Sequence, residues 1–209
     1  MRKNMFRILQ ALAVAFVIAT VSGVACAQII NMGVPDSFTT NYYSNNTTPG
    51  APAGTLRFSN DGASILLGPT PGTLCANIYV FAADQQLTEC CSCPVTANGL
   101  VEENIKTNLL ANPLTGKIPN SGVIQIVATV DTGVCDPTGV FASGLAPGLT
   151  AWTTHIENKI GATFPVSVTE NSDSPLSASE LADLTTDCSF VIAFGSGAGT
   201  CSCNAEAVK

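Results

Sequence analysis

Eight cysteines that follow an N-terminal export signal constrain the fold of this 209-residue chain more than any other feature, and the ninth, Cys26, lies inside the signal. The chain begins with basic residues and an uncharged, mostly apolar stretch from Ile8 to Val21, and Ala25-Cys26-Ala27 then provides a cleavage pattern. Disulfides persist outside the reducing cytosol, and an even number of cysteines allows all of them to pair. We therefore predict a signal peptide over residues 1–27, Sec-type export from a bacterial cell, and a secreted or cell-surface protein held together by disulfides.

Two other fates of the N-terminal segment remain open. Cys26 follows Gly23-Val24-Ala25, which supplies the small residue that precedes the lipidated cysteine of a bacterial lipoprotein, although Gly23 stands where a large aliphatic residue is typical. The other alternative is an uncleaved anchor, but the apolar stretch is shorter than the ~20 residues that a membrane-spanning helix needs. No later segment is a spanning candidate, so we expect no membrane span in the mature chain.

The mature chain is strongly acidic. The signal carries three of the eight Lys and Arg residues, so five basic residues remain against fifteen acidic ones, a formal balance of −10. Nucleic acids and anionic membrane surfaces need clustered positive charge, which this chain lacks. We therefore expect no nucleic-acid partner, and either self-assembly or an extracellular surface as the partner.

Turn-forming residues divide the mature chain near residue 54. Residues 28–54 are polar, have little apolar periodicity and end in the breaker cluster Pro49-Gly50-Ala51-Pro52-Ala53-Gly54. We interpret them as a lead-in that is either flexible or a strand that adds to a sheet edge of this or another copy. Residues 55–209 are then expected to form a single β-rich, disulfide-stabilised domain.

Most of this domain has the pattern of short strands. The segments Leu74–Phe81 and Val123–Val130 are apolar on both faces and predict buried strands. Further strands are expected at 55–59, 64–67, 86–91, 151–157 and 164–169, with Asn60-Asp61-Gly62 as a hairpin turn between the first two.

Helical periodicity is confined to two segments. Ser177-Ala178-Ser179-Glu180 is a capping box, after which Leu181, Leu184, Cys188, Val191 and Ile192 recur at helical spacing until Gly195. A weaker helix is expected over 101–110, with Glu102 and Glu103 in its first turn. The elements together predict a mainly β fold, a disulfide-stapled antiparallel β-sandwich with one or two short helices.

Two compact cysteine clusters, Cys90-Cys91-Ser92-Cys93 and Cys201-Ser202-Cys203, restrict the disulfide pattern. Neighbouring cysteines rarely bond to each other, because a disulfide needs Cα atoms ~5.5 Å apart with facing side chains. We therefore expect the clusters to meet, with three early cysteines bonded to three late ones in an order that the sequence leaves open. The disulfide candidates are Cys75 with Cys135 as the remaining pair, and Cys90, Cys91, Cys93, Cys188, Cys201 and Cys203.

The cysteine pattern also resembles a family. The segment Leu-Cys-Ala-Asn-Ile-Tyr-Val-Phe at 74–81, the Cys-Cys-Ser-Cys cluster at 90–93 and the late Cys-Ser-Cys at 201–203 are similar to a pattern in uncharacterised exported cysteine-rich bacterial proteins. The resemblance covers most of the chain after residue 55. It implies no activity and no ligand, so no functional residue follows from it.

Asp131 and His155 are the weak catalytic candidates. Val130-Asp131-Thr132-Gly133 follows an apolar strand and matches the motif of aspartic proteases, where two such carboxylates share a proton and activate water. A second copy of the motif is absent from the sequence, and an Asx-type turn is the structural alternative. His155, the only histidine, alternates with Trp152, Thr154 and Ile156 on a predicted strand, so we expect it on the polar face as an exposed or hydrogen-bonded side chain.

The candidate metal ligands are the thiolates and two pairs of acids. Cys-Cys and Cys-x-Cys do not have the usual spacing of a zinc site, and export favours disulfides over metal. Asp131 with Asp136, and Glu170 with Asp173, flank turns and are candidate calcium ligands without the spacing of an EF-hand loop. We therefore expect no resident cofactor and keep calcium as an open alternative.

The sequence favours a binding or structural role over catalysis. We expect a secreted or cell-surface structural or interaction protein, such as an adhesion, matrix or filament component, because charged residues are few and no convincing catalytic set is present. The alternatives are a small secreted hydrolase that uses Asp131, and a thiolate metal binder.

Overall fold

The computed structural model describes residues 34–64 and 71–203. The predicted signal with Cys26 and residues 65–67 of one predicted strand lie outside these ranges. The described residues form two packed antiparallel sheets, which confirms the predicted β-sandwich. Its strands are β1 Phe38–Tyr43, β2 Thr55–Asn60, β3 Leu74–Ala82, β4 Leu87–Val95, β5 Leu100–Asn104, β6 Gly122–Val130, β7 Leu149–Ile156, β8 Val166–Glu170 and β9 Ser172–Asp173. One α-helix, α1 (Ala178–Phe194), a π-helical turn (Ile105–Leu109) and a 3-10 turn (Ala142–Gly144) complete the structure.

The strands are ordered β4-β3-β6-β1-β9 in the five-stranded sheet and β5-β2-β7-β8 in the four-stranded sheet. Strands β3 and β6 lie in the interior of the larger sheet, where Ile78 pairs with Ile126, and this confirms the two predicted buried strands. The strand predicted over 86–91 corresponds to the first half of β4, which pairs with β3 as a hairpin. The core between the sheets includes Leu56, Phe58 and Leu149 from the smaller sheet.

Helix α1 covers the outer face of the five-stranded sheet. Its N-cap is Ser177, whose Oγ accepts a hydrogen bond from the Glu180 backbone N–H at 3.0 Å, as the capping box predicts. The buried face of α1 (Leu181, Leu184, Cys188 and Val191) belongs to a second apolar cluster with Tyr79 and Val127 of the sheet. Ile192, predicted on the same face, is 43% exposed.

Strand β1 lies in the segment that the sequence assigns to a lead-in. It pairs with β6 on one side and β9 on the other within the same chain, so the sandwich begins before the predicted boundary at residue 55. Its residues are mostly polar, yet Phe38 is buried in the cluster under α1 and Tyr43 in the core between the sheets. Neighbouring strands on both sides, rather than an apolar pattern, bury this segment.

The predicted helix over 101–110 is wrong for its first half. Leu100–Asn104 is strand β5, paired with β2, with Val101 and Glu103 buried and Leu100 and Glu102 exposed. The acids therefore follow the alternation of a strand and do not form a first helical turn. A helical turn begins only after Asn104, whose side chain accepts from two backbone N–H groups of Ile105–Leu109.

The predicted hairpin partner of 55–59 is different in the structure. β2 pairs with β5 and β7, which are distant in sequence, and Asn60 at its end donates side-chain hydrogen bonds to the carbonyls of Gly72 and Val95. The chain turns after Asn60, as predicted, but long-range pairing determines the neighbours of β2. None of the helices in the described part of the chain has the length and apolar character of a membrane span.

Candidate functional sites

Four disulfides join the predicted cysteines. The bonds are Cys75–Cys135, Cys90–Cys188, Cys91–Cys201 and Cys93–Cys203, with Cα atoms 5.2 to 5.9 Å apart. This confirms that the two clusters meet and that Cys75 pairs with Cys135, and it fixes the order that the sequence left open. Two of the bonds hold the C-terminal tail beside β4, where the Cys90 N–H donates to Gly199 O at 2.9 Å. The tail therefore covers the outer edge of the five-stranded sheet at β4.

The same cysteines form two groups of possible metal ligands among the described residues. The Sγ atoms of Cys91, Cys93 and Cys203 lie within 4.8 Å of one another, and a second group combines Cys75 and Cys135 with Asp131. Every cysteine in both groups is disulfide-bonded in the structure. A disulfide sulfur is not a thiolate, so these groups can hold a metal only after reduction.

Asp131 lies just after β6 and forms a turn. Its Oδ1 accepts a hydrogen bond from the Gly133 N–H at 2.7 Å, which is the Asx turn of the structural interpretation. Gly133 has φ of +100°, a conformation that a side chain at this position would strain. The Asp-Thr-Gly sequence is thus accounted for by the turn that ends β6.

His155 is fully buried, so its predicted place on the polar face of the strand is wrong, whereas the predicted hydrogen-bonded state is confirmed. Thr153 and His155 share the side of β7 that carries the core residues Leu149 and Ala151, whereas Trp152 points outward and is partly exposed. The imidazole Nε2 lies 2.6 Å from Thr169 Oγ1, and the ring stacks on Tyr42. Burial lowers the pKa of His155, against the opposing effect of the Glu157 carboxylate, so the ring is neutral near pH 7.

The two catalytic candidates lie at opposite ends of the sandwich. Tyr42, which stacks on His155, pairs with Val123 at the start of β6, whereas Asp131 follows the end of that strand. Eight residues of extended chain separate Val123 from Asp131, about 26 Å. A general base must be within hydrogen-bond reach of its partner. The structure therefore does not bring Asp131 and His155 into one site.

The candidate calcium ligands are used in local contacts. Asp136 Oδ1 accepts from the backbone N–H and the hydroxyl of Thr138, at 2.9 and 2.7 Å. Asp173 lies beside Asp36, and partial burial, a hydrogen bond that protonated Asp173 donates to Asp36 and the negative charge of Asp36 raise the pKa of Asp173 to about 6. Asp36 and Asp173 both line an open cleft of about 550 Å³ next to β9. The predicted partner of Asp173, Glu170, adds a further negative charge nearby.

A buried carboxyl that the sequence analysis did not single out is Glu89 of β4. It is fully buried, and its Oε1 accepts a hydrogen bond from the Asn112 N–H at 2.8 Å. Burial raises the pKa of Glu89 to about 7, and the bond from Asn112 partly opposes this effect. The sequence feature that could have identified Glu89 is its place directly before the Cys90–Cys93 cluster, on a strand whose neighbouring residues are buried. Its buried surroundings make Glu89 a group through which the pH affects the stability of the fold.

Strand β8 forms an open edge of the four-stranded sheet. All five of its residues are exposed, including Val166 and Val168 at 53% each, so the predicted half-buried strand exists but is not covered. Pro165 O and Asn171 N bond to β7 on either side of the strand. Hydrogen-bonded positions alternate in an antiparallel pair, so the backbone groups of Val166 and Val168 point away from β7. No strand of the described chain pairs with this edge.

The chain matches no protein-family model, no curated protein and no solved structure.

Proposed function

We propose that this protein is a secreted or cell-surface structural component that assembles with other copies of itself through strand β8. The observation that carries the proposal is the open edge described above, in which a whole strand is exposed and Val166 and Val168 direct backbone hydrogen-bonding groups outward. An edge of this kind is a template for pairing with another strand. The matrix and filament roles predicted from the sequence require contacts between chains.

The edge strands β4 and β8 differ in whether another segment covers them. The C-terminal tail and its disulfides cover the edge at β4, whereas β8 has no such cover in the described residues and carries no Lys or Pro. Natural sheets usually protect exposed edges with charges, bulges or proline. The difference supports a role for β8 in pairing.

The sequence of β8 suits antiparallel pairing with a second copy. Alignment of Val168 with Val168 of the second chain places Val166 opposite Glu170, and Ser167 opposite Thr169. In this alignment no like charges face each other, and like charges directly opposite would destabilise the pair. Such a contact is isologous, since each chain contributes the same surface.

The experiment compares the mature oxidised protein with Val168→Lys by size-exclusion chromatography with light scattering and by electron microscopy. We expect the wild type to form dimers and the variant to shift to monomer, because a charge at the centre of the edge opposes pairing. Val134→Lys is the matched control, since Val134 is 74% exposed in a loop outside β8. A monomeric wild type at high concentration, or equal assembly of wild type and Val168→Lys, would contradict the proposal.

A further inference from the structure

The outer face of the four-stranded sheet carries a row of side chains centred on Trp152. Register pairs place Glu102, Arg57, Trp152 and Glu170 side by side on β5, β2, β7 and β8. The row crosses three interstrand spacings, about 14 Å. Arg57 and Trp152 lie opposite the core-facing residues of their strands, so the row faces outward. We refer to these four residues as the Trp152 row.

The row combines one aromatic ring with charged hydrogen-bonding groups. Arg57 Nε donates to the Glu102 carboxylate, and both side chains remain exposed, at 42% and 52%. Glu170 is exposed on the other side of the partly exposed Trp152. Next to the row, the hydroxyls of Thr55 and Thr154 lie 2.7 Å apart. The face therefore offers an aromatic ring beside hydrogen-bond donors and acceptors whose orientation is fixed by the Arg57–Glu102 and Thr55–Thr154 hydrogen bonds.

We propose that the Trp152 row binds a neutral, hydroxyl-rich polysaccharide. The C–H groups on one side of a sugar ring carry partial positive charge and suit the negative face of an indole. The sugar hydroxyls both donate and accept, and they match an Arg–Glu pair that offers both functions in one place. The row is longer than a single sugar ring, so it suits a chain of sugar units better than a monosaccharide.

The charges of the face argue against other ligands. Two glutamates outnumber one arginine in the row, and the mature chain is strongly acidic, so nucleic acids and anionic polysaccharides are disfavoured. The centre of a protein–protein interface is depleted of Glu, Asp and Lys, whereas Arg and Trp are enriched there. Here Glu170 flanks Trp152 directly on the neighbouring strand. A neutral glycan can use both the ring and the hydrogen-bonding groups beside it.

The inference rests on the location outside the cell that is part of the proposed function, but it does not require pairing through β8. Glycan binding and oligomeric state are measured separately, so the two proposals can fail independently. A chain that binds glycan as a monomer would retain this inference and contradict the pairing.

Trp152 is the only tryptophan of the chain, so its fluorescence reports on this face alone. The mature oxidised protein is titrated with cellohexaose, xylan, chitohexaose and laminarin, and with heparin as a polyanion. We expect a saturable change in emission with at least one neutral glycan and none with heparin. Arg57→Ala should weaken this binding by about tenfold or more, because a charge-assisted hydrogen bond is lost.

Trp152→Ala removes the fluorescent reporter, so its binding is measured by affinity electrophoresis in gels that contain the same glycan. We expect loss of retardation, with Phe141→Ala as the matched control, because Phe141 is an aromatic residue 69% exposed outside this face. Circular dichroism and a count of free thiols establish that each variant is folded and oxidised. The inference is overturned if no neutral glycan binds at millimolar sugar, if Trp152→Ala and Arg57→Ala bind as the wild type does, or if heparin is the ligand preferred.

Discussion

The buried carboxyl of Glu89 should make the stability of the protein depend on pH in a way that one substitution removes. The pKa of Glu89 is about 7 in the folded state, against 4.5 when unperturbed, because the side chain is buried. Between these values the folded state holds a proton that the unfolded chain has lost. The free energy of unfolding therefore falls by at most about 3 kcal/mol as the pH rises from about 4.5 to about 7. Above pH 7 this contribution of Glu89 no longer changes.

Glu89→Gln keeps the shape and a carbonyl oxygen that can accept from the Asn112 N–H, but it cannot ionise. We expect the variant to match the wild type near pH 4 and to be more stable by about 2 to 3 kcal/mol near pH 8. Guanidinium chloride unfolding with the disulfides intact, at several pH values, measures the difference. The difference isolates Glu89, because every other titrating group is common to both proteins. Asp187→Asn, at an exposed acid on α1, serves as the control. A difference between wild type and Glu89→Gln that does not change with pH would refute the reasoning.

Two further predictions concern the helix and the histidine. Replacement of both Cys90 and Cys188 by serine opens a loop of about fifteen residues, because Cys91–Cys201 remains closed, and should destabilise the protein by up to about 3 kcal/mol in the chain-entropy model. Hydrogen exchange should show the largest loss of protection in α1, and unchanged protection there would contradict this. His155 is the single histidine, so its imidazole signals in an NMR pH titration are unambiguous. Because burial lowers its pKa, we expect the midpoint of this titration below pH 6.5, and protonation of the ring should favour unfolding. A midpoint at or above 6.5 would count against the buried environment.

The sequence predicted those features that local chemistry determines. The capping box at Ser177 marks the start of α1, because one side chain and nearby backbone amides are enough to specify it. Apolar residues on both faces identified β3 and β6 as interior strands. The meeting of the two cysteine clusters followed from the geometry of the disulfide bond, since neighbouring cysteines could not pair within a cluster.

Long-range pairing determined what the sequence could not predict. Strand β1 is polar in sequence and becomes a strand because β6 and β9 flank it. On β7 the apolar alternation favoured Trp152 as the buried side chain, yet His155 is the buried one, since Thr169 and Tyr42 provide a partner and a stacking surface from elsewhere in the chain. The Trp152 row likewise exists only because four strands align, so no single segment carries its signal.

The disulfide that closes the C-terminal tail also determines how the protein would respond to pulling. When the protein is unfolded by a load between residue 34 and residue 203, the covalent path runs along the chain to Cys93 and crosses to Cys203, so α1 and strands β5 to β9 lie outside it. The load-bearing route is about sixty residues long and can extend to about 200 Å, whereas the reduced chain between the same points could reach about 590 Å. For a component anchored outside a cell, oxidation would thus set a mechanical stop, beyond which covalent bonds resist further stretching.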